Sequence, residues 1–291
     1  MTVKNILLIT ALGLMASVTA STAPKILILG GTGFIGSTVS RHAIDSGFQV
    51  TSLSRRGTPA PDSPSAVKGV TWIQGDATDP SVVERAITEG QYDGVVHAIG
   101  MLFAGSINRF ASGSGSIPDP GTTYDTITRQ TVFSATAAFR KLSDRKTEGR
   151  RQLPFIFISA AEAKWSFDGV FRGTPASWLH EYLIAKRSAE DEILKNSPSL
   201  RGVVMRPSLV WTMDRPAALL PVAAFQLGSR LGLPFVDRPV NVETLASAVV
   251  ESLLNSSVNG VQDWRKMEDL SASYRSHPRS KRADPKAAGE L

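Results

Sequence analysis

Short runs of consecutive apolar residues alternate along the chain with longer stretches in which apolar residues recur every three or four positions. The short runs predict strands of a parallel sheet that is buried on both faces, and the longer stretches predict helices packed against it. The strands are expected at residues 25–29, 48–53, 70–74, 94–99, 154–159 and 201–205, and the helices at 34–46, 81–89, 124–142, 178–194, 217–232 and 241–254. The alternation predicts an α/β fold, a Rossmann-like doubly wound parallel sheet with a small C-terminal substrate lobe. Ligands of such a sheet gather at the carboxyl ends of its strands.

The first predicted strand runs directly into a glycine-rich turn, in the sequence KILILGGTGFIG from Lys25 to Gly36. The spacing of its glycines fits G-x-G-x-x-G, which lets the chain turn tightly and brings backbone amides close to a pyrophosphate. The helix that follows directs its positive end at the same phosphate. The turn therefore predicts a dinucleotide site, against the alternative of a plain glycine connector. Its expected contacts are Gly30, Thr32, Gly33, Phe34, Ile35 and Gly36.

The residues after the second strand indicate which dinucleotide binds. Sites that prefer NAD place Asp or Glu there, for the ribose hydroxyls, whereas this chain has Ser54, Arg55 and Arg56. Two guanidinium groups attract a 2'-phosphate, so we expect NADP as the cofactor, with NAD the less favoured choice and two exposed loop arginines the alternative. Asp76 and Ala77 follow the third strand and are expected at the adenine, although a capping role for Asp76 and Asp79 remains open.

Two further positions, Ala98 and Gly100, end the fourth strand and complete the expected cofactor site.

Catalysis is expected on the helix at 178–194, where Tyr182 and Lys186 stand four residues apart and share one helix face. A nearby cation favours phenolate and lowers the pKa of a phenol, so Tyr182 is expected to exchange a proton with a substrate oxygen. Lys186 is expected to hold the nicotinamide ribose as well.

Several motifs together resemble the extended or atypical branch of the short-chain dehydrogenase/reductase superfamily, over roughly residues 25–261. They are GGTGFIG, SLSRRG, VVHAIGML, FIFISAA, YLIAKRSAE, RPSLVW and PVNVETLASAVVESL. In detail they are similar to the mitochondrial NAD(P)-binding proteins associated with ubiquinone biosynthesis and, more distantly, to the Rossmann-fold accessory subunit of respiratory complex I. The resemblance implies a small-molecule substrate, with lipids and quinones as candidates, a mitochondrial location and a membrane-associated protein complex.

At one position the chain departs from the active members of that branch. The resemblance implies a Ser or Thr just after the fifth strand, as a hydrogen-bond donor to the substrate carbonyl, and Ala160 stands there. Losing one such donor typically costs about 3 to 4 kcal/mol of transition-state stabilisation. Either another hydroxyl, Ser159 or Ser166, serves instead, or the protein is a catalytically weak nucleotide-binding scaffold or accessory subunit. Whether the chain is an active oxidoreductase stays open at this stage.

Composition narrows the remaining possibilities. The chain has 291 residues, a net charge of +6 and no cysteine, which excludes disulfides and thiolate chemistry. The four histidines are scattered without ligand spacing, so no metal is expected. The basic residues are dispersed apart from a cluster near the carboxyl terminus, and no motif indicates nucleic acid as a partner. The histidines are His42, His97, His180 and His277. The basic cluster consists of Arg275, Arg279, Lys281, Arg282 and Lys286.

Two segments lie outside the predicted domain of residues 25–262, whose C-terminal lobe begins at about residue 207, and a third segment interrupts the pattern within it. Residues 1–24 form an apolar leader of signal-peptide type, which indicates a secretory or plastid route as the alternative to a mitochondrial one. Residues 104–123 are rich in glycine, serine and proline and read as a lid or a surface insertion. Residues 263–291 are polar and are expected to be a disordered tail.

Overall fold

The computed structural model describes residues 23–63, 65–101, 121–148, 151–195, 199–214, 219–231 and 236–277. Nearly all of the predicted leader, the glycine-rich segment up to residue 120 and the basic tail from residue 278 lie outside the described residues.

Seven parallel strands form one sheet, in the order β3-β2-β1-β4-β5-β6-β9. The strands are β1 (Lys25–Leu29), β2 (Gln49–Ser54), β3 (Thr71–Gln74), β4 (Gly94–His97), β5 (Leu153–Ile158), β6 (Leu200–Met205) and β9 (Gly260–Gln262). A pair of two-residue strands, β7 (Val210–Trp211) and β8 (Val240–Asn241), stands beside it. The order reverses between β1 and β4, which opens a crevice at the carboxyl ends of these strands. The predicted α/β doubly wound fold is therefore confirmed.

Helices cover both faces of the sheet. Along β1 the side chains alternate, so that Ile26 and Ile28 join the core beneath one helical layer, while Leu27 and Leu29 join the core beneath the other. The first layer holds α1 (Phe34–Asp45), α6 (Val242–Leu254) and α7 (Trp264–Ser276). The second holds α2 (Pro80–Gly90), α3 (Thr131–Thr147) and α4 (Ser177–Lys195). A further helix, α5 (Leu219–Arg230), lies between β7 and β8 in the chain. A π-helical segment, Asp125–Gln130, leads into α3 at the start of the predicted helix.

The prediction of a disordered tail from residue 263 is wrong for residues 264–276, which form α7. The segment is polar overall, but Met267 and Tyr274 lie on one helix face and are buried against the first layer. Its amino end is capped by the side chain of Asp263, which accepts a hydrogen bond from the Lys266 amide at 3.0 Å. A hydrogen bond of 2.9 Å joins the hydroxyl groups of Tyr274 and Ser46, at the end of α1. The two buried anchors therefore outweigh the polar composition.

None of the described helices is both long enough and apolar enough to cross a bilayer. The apolar segment predicted as a helix at 217–232 forms α5, whose residue Phe225 lines a pocket together with residues of α1 and α4. Leu227 and Leu231 are exposed by 59% and 68%. This helix therefore serves as a pocket wall on one side and presents apolar residues to solvent on another.

Candidate functional site

The glycine-rich turn is closed by a hydrogen bond of 3.0 Å from the Gly33 amide to the Gly30 carbonyl. Gly30 has a φ of +90°, a conformation that L side chains rarely adopt. A Cβ atom on Gly36 would lie 2.2 Å from the Gly30 carbonyl oxygen, so only glycine lets α1 begin this close to β1. Gly33 stands at the N-cap of α1 and brings no side chain to that helix end. The turn thus leaves the positive end of α1 facing the crevice.

A cavity of about 540 Å³ extends from this turn across the carboxyl ends of β1, β2 and β4. Ten of the predicted cofactor contacts line it: Gly30, Thr32, Gly33, Ser54, Arg55, Arg56, Asp76, Ala77, Ala98 and Gly100. Gly36 lies behind the turn, where it allows the close approach described above. The size of the cavity, the open helix end and the absence of a Cβ at Gly33 together fit a bound dinucleotide.

One end of this groove carries the residues expected from the sequence to distinguish NADP from NAD. The Ser54 hydroxyl donates to the Gly57 carbonyl at 2.8 Å and is engaged within the turn. Arg55 and Arg56 are exposed at the same place. Asp76 lines the groove while its carboxylate accepts from the Thr78 amide at 2.9 Å. The Asp79 side chain caps α2 through the Ser81 amide at 2.8 Å, so this aspartate serves as a cap.

A second cavity of about 380 Å³ adjoins the groove and shares Gly33, Ala98 and Gly100 with it. Phe34 and Ile35, which were expected at the cofactor, line this second cavity instead of the first. Its wall is otherwise formed largely by apolar side chains, among them Trp178, Leu179, Leu209, Val210 and Phe225. A ligand in this second cavity would meet one end of a dinucleotide in the groove.

Tyr182 and Lys186 both line the second cavity, as their spacing on α4 predicts. The Lys186 ammonium is buried, donates to the Ile158 carbonyl at 2.9 Å and lies 4.8 Å from the centre of the Phe157 ring. Burial lowers the pKa of Lys186 to about 8, against the opposing charges of Glu190 and Glu162. Gly100 is close by, since a Cβ there would lie 3.6 Å from the Lys186 ammonium.

The expected lowering of the Tyr182 pKa is wrong for this structure. Burial, together with the charges of Glu162 and Glu190 and the neighbouring Tyr124 phenol, raises the pKa of Tyr182 far above its ordinary value. The Lys186 ammonium lies 5.7 Å from the centre of the Tyr182 ring and does not offset these effects. Tyr182 therefore holds its proton at neutral pH.

The third predicted catalytic residue, Ser159, directly follows β5 and takes part in a buried hydrogen-bond network. Its hydroxyl donates to the carboxylate of Glu190, one turn beyond Lys186 on α4. Arg206, which follows β6, donates from its Nε to both carboxylate oxygens of Glu190, at 3.0 and 3.1 Å. The network ties β5, β6 and α4 together and holds Lys186 in place. Ser166 is exposed and does not line the cavity, and Ala160 is in the lining without a hydroxyl.

Sequence reasoning missed Glu162, which lines the same cavity. Burial raises the pKa of Glu162 above its ordinary value, and the charge of Asp237 acts in the same direction. The sequence signal that could have identified Glu162 is a carboxylate two residues beyond the position expected to hold the hydroxyl, in the sequence ISAAEAK.

His97, at the end of β4, was also missed as a neighbour of the site. Burial lowers its pKa to about 3, with a contribution from the Lys186 charge, so its ring is neutral.

The loop before α4 is fastened to that helix by a polar cluster. The buried Asp168 carboxylate lies 2.7 Å from His180 Nδ1 and 2.7 Å from the Arg187 guanidinium. Arg172 donates to His180 Nε2 at 2.7 Å, and Arg187 also donates to the Trp165 carbonyl at 3.1 Å. Because His180 and Arg187 lie two turns apart on one side of α4, these contacts hold that side of the helix to the loop.

Comparisons with known proteins agree with this geometry. Residues 30–256 match the model of a family described as NAD(P)H-binding. MIOREX complex component 2 of Saccharomyces cerevisiae is 26% identical over 280 residues, covering 82% of this chain and 96% of the relative. An uncharacterized chloroplastic protein of Arabidopsis thaliana is 24% identical over 86% of this chain and 78% of its own length. A 2-alkyl-3-oxoalkanoate reductase of Stenotrophomonas maltophilia is 28% identical over 64% of this chain and 51% of its own.

Solved structures share the fold. A short-chain type dehydrogenase/reductase from Mycobacterium ulcerans aligns with a TM-score of 0.58 and 19% identity, over 84% of this chain and 90% of its own. The UDP-glucose 4-epimerase of Thermus thermophilus, solved with NAD, aligns with a TM-score of 0.53 and 20% identity, over 86% and 82%. The family match spans well over half of the chain and coincides with the cofactor groove. The protein belongs to the NAD(P)H-binding family and is an atypical short-chain dehydrogenase/reductase that binds a nicotinamide cofactor.

Proposed function

We propose that the protein is an NADP-dependent oxidoreductase that reduces a carbonyl group on an apolar substrate of the lipid or quinone type. The observation that carries this proposal is the position of Tyr182 and Lys186 in an apolar cavity that adjoins the cofactor groove. A reduced nicotinamide bound in the groove supplies a hydride. The chain supplies the proton and the orientation of the reacting groups.

Tyr182 is the proton donor in the direction of reduction, because its raised pKa keeps the phenol protonated until a carbonyl oxygen beside it gains charge. Lys186 is the ribose-binding residue, and its ammonium lies 5.7 Å from the centre of the Tyr182 ring. With a pKa of about 8 it is still mostly charged at neutral pH. The ring of Tyr124 meets that of Tyr182 edge-on, with centroids 5.7 Å apart, and restrains its orientation.

The arginines at the end of β2 favour NADP. A carboxylate at position 54 would repel a 2'-phosphate, but the residue there is a serine whose hydroxyl is already engaged. Arg55 and Arg56 line the groove beside it and are the groups that would bind the additional phosphate.

Substitution of both arginines by alanine tests this cofactor preference. We expect the thermal shift caused by NADPH to fall while that caused by NADH stays unchanged. The control is Arg145→Ala, at an exposed position of α3 away from the groove. A wild-type protein that is stabilised more by NADH than by NADPH would contradict the choice of NADP.

The apolar lining of the second cavity supports a substrate with an alkyl or isoprenoid chain. The 2-alkyl-3-oxoalkanoate reductase named above has a carbonyl substrate with alkyl chains, which agrees with this class. The measurement is NADPH oxidation with a panel of 3-oxoalkanoates, alkyl ketones and prenylated quinones, for the wild type and for Tyr182→Phe. We expect turnover by the wild type and a loss of roughly a hundredfold or more in the variant. Tyr274→Phe is the matched control because it removes a hydroxyl in the opposite layer, and equal rates for wild type and Tyr182→Phe would remove Tyr182 from the mechanism.

A second candidate function is favoured by Ala160, because alanine has no hydroxyl at the position where the resemblance implies a Ser or Thr. In this alternative the protein is a nucleotide-binding scaffold or accessory subunit of a mitochondrial membrane complex, and the name of the yeast relative as a complex component agrees with it. NADPH would then stabilise the protein against thermal unfolding. In a complementation assay, the Tyr182→Phe variant would restore the cellular function as well as the wild type does. Loss of function in that variant would exclude the scaffold.

The proposed location is the mitochondrion, which follows from the resemblance of the sequence, while one relative is named as chloroplastic. Fusing residues 1–30 to a fluorescent protein tests the location. Fluorescence in mitochondria supports the proposal, and fluorescence in the secretory pathway or a plastid overturns it.

A further inference from the structure

Reduction of a carbonyl builds negative charge on its oxygen, and a second preorganised hydrogen-bond donor beside Tyr182 would stabilise that charge. At the position where the resemblance implies a Ser or Thr, Ala160 offers the cavity only a methyl group. The neighbouring Ser159 hydroxyl donates to a carboxylate of the buried network. The Glu162 carboxylate, whose charge acts on Tyr182, accepts hydrogen bonds but donates none. Residues 159–164, which directly follow β5, thus bring no uncommitted hydroxyl to the cavity.

Ser208 lies in the connection between β6 and β7, directly beside the segment that carries Ala160. Strands β5 and β6 are parallel neighbours, and their pairing continues past their carboxyl ends, where the Ala161 amide donates to the Pro207 carbonyl at 2.8 Å. Ala161 follows Ala160, and Pro207 precedes Ser208. Both Ala160 and Ser208 line the second cavity. The fold thus sets a serine beside the position that lacks its hydroxyl.

The backbone around Ser208 is held on both sides by hydrogen bonds. The carbonyl before it, of Pro207, accepts from Ala161, and the carbonyl after it, of Leu209, accepts from the Val240 amide at 3.0 Å. The residues that follow form β7, which pairs with β8. A side chain on a backbone held in this way is positioned before any substrate arrives, which is what an effective donor to a developing charge requires.

The Ser208 side chain is buried and without a hydrogen-bond partner. The residue is 9% exposed, and its hydroxyl has no partner within the described part of the chain. A buried hydroxyl in this state costs stability, and most buried polar groups in proteins are paired. Among the described residues that line the second cavity, Ser208 is the one with a sealed polar atom of this kind. Rotation about its single side-chain torsion turns the hydroxyl toward an acceptor that enters the cavity.

We propose that Ser208 is a catalytic residue that donates a hydrogen bond to the substrate carbonyl oxygen beside Tyr182. The inference rests on the proposed function. In the reduction the carbonyl carbon gains the hydride of the reduced nicotinamide, which is thereby oxidised, and the oxygen gains the Tyr182 proton. The Tyr182 phenolate then takes a proton from water. Ser208 keeps its own proton throughout, and it supplies after β6 the donor that Ala160 lacks after β5.

Three variants test this role. Ser208→Ala removes the donor, and we expect kcat for NADPH-dependent carbonyl reduction to fall roughly a hundredfold, whereas Ser208→Thr keeps a hydroxyl and should stay within about tenfold of the wild type. Ala160→Ser, added to Ser208→Ala, places a hydroxyl on the neighbouring segment and should recover part of the lost rate. The thermal shift caused by NADPH should be the same in all of them, because Ser208 does not line the cofactor groove.

Ser52→Ala is the matched control. It also removes a buried hydroxyl that has no partner in the described structure, and Ser52 lines neither cavity. Because no hydrogen bond is broken in either case, neither Ser208→Ala nor Ser52→Ala should lower the melting temperature of the protein without ligand. Ser52→Ala should keep the wild-type kcat.

The infrared spectrum of a bound ketone supplies a readout that a merely structural role would not move. The probe is an alkyl ketone with an isotope label at its carbonyl carbon, bound to the protein together with NADP⁺ so that no reduction takes place. Its carbonyl stretch should lie at a lower frequency in the wild type than in Ser208→Ala, because a hydrogen bond weakens the C=O bond.

The possible failures are distinguishable. A wild type that reduces a carbonyl compound while Ser208→Ala matches its kcat, or while the ketone band is the same in both proteins, overturns the role of Ser208 alone. A thermal shift with NADPH that falls in Ser208→Ala assigns the serine to the cofactor and does the same. A wild type that binds NADPH but reduces none of the 3-oxoalkanoates, ketones and quinones overturns the proposed function, and the role of Ser208 with it.

Discussion

Lys186 offers the most direct test of how the site is built, because it is a charged group buried without a carboxylate partner of its own. It is 4% exposed, and its ammonium donates to the Ile158 carbonyl at 2.9 Å. Burial lowers its pKa from 10.5 to about 8. Each pKa unit corresponds to about 1.36 kcal/mol, so a difference of about 2.5 units corresponds to about 3 kcal/mol.

The sign of the effect follows from proton binding. Between pH 8 and 10.5 the native protein releases the Lys186 proton while the unfolded chain still holds it, so the unfolded chain binds more protons. The free energy of unfolding should therefore rise with pH over this window. In Lys186→Met this contribution is absent, and the stability of the wild type relative to the variant should increase by about 3 kcal/mol between pH 7.5 and 10.5.

Urea unfolding followed by tryptophan fluorescence measures this difference in the full chain without added cofactor. Other groups that titrate in this range are present in both proteins and cancel from the comparison. Lys141→Met is the matched control, because the Lys141 side chain is 65% exposed and its difference from the wild type should not change with pH. A pH-independent difference between the wild type and Lys186→Met would refute the claim that the buried site depresses this pKa.

Three further predictions concern the turn, the buried network and acid stability. Gly36→Ala should abolish the thermal shift caused by NADPH, since its Cβ would lie 2.2 Å from a carbonyl oxygen, while Gly169→Ala, with nothing within 4 Å, should bind normally in the same assay. Glu190→Ala should lower the free energy of unfolding by about 3 kcal/mol, because it leaves the Arg206 guanidinium without its carboxylate, and combining it with Arg206→Ala should recover part of that loss in urea titrations. The contacts of Glu243 with His42 and Arg41 hold its pKa at about 2, so its contribution to stability is present above pH 4.5 and is lost as the pH falls toward 2. Thermal melts of Glu243→Gln should accordingly show a flatter decline over that range, and a decline as steep as in the wild type would contradict the assignment.

Much of the fold follows from local patterns in the sequence. The strands of the sheet core are runs such as KILIL and LPFIFI, and each predicted bound lies within two residues of the observed one. The glycine turn is equally local, because its requirements are set by residues 30–36. The placement of Tyr182 and Lys186 on one face follows from helix geometry alone.

What the sequence could not predict depends on residues far apart in the chain. Ser159 and Glu190 are separated by 31 positions, and only the packing of α4 against β5 commits the serine to the carboxylate. The direction of the Tyr182 pKa was predicted wrongly because burial is a property of the assembled cavity, whereas spacing shows only the neighbouring lysine. The final helix was missed because two buried anchors, Met267 and Tyr274, stand among polar residues.

The packing of α7 on the first helical layer has a consequence for the newly synthesised protein. Tyr274 reaches back over 228 positions to Ser46, at the end of the helix whose other end faces the cofactor groove. At roughly 5 to 20 residues per second, the ribosome needs about 10 to 50 seconds to make the intervening chain. For most of that time neither α6 nor α7 has been made, so a nascent chain that has already formed β1 and the glycine turn still presents apolar side chains of this layer, such as Ile28 and Val39, to chaperones. The residues that line the cofactor groove lie between Gly30 and Thr131, so all of them are synthesised before the segment that forms α7.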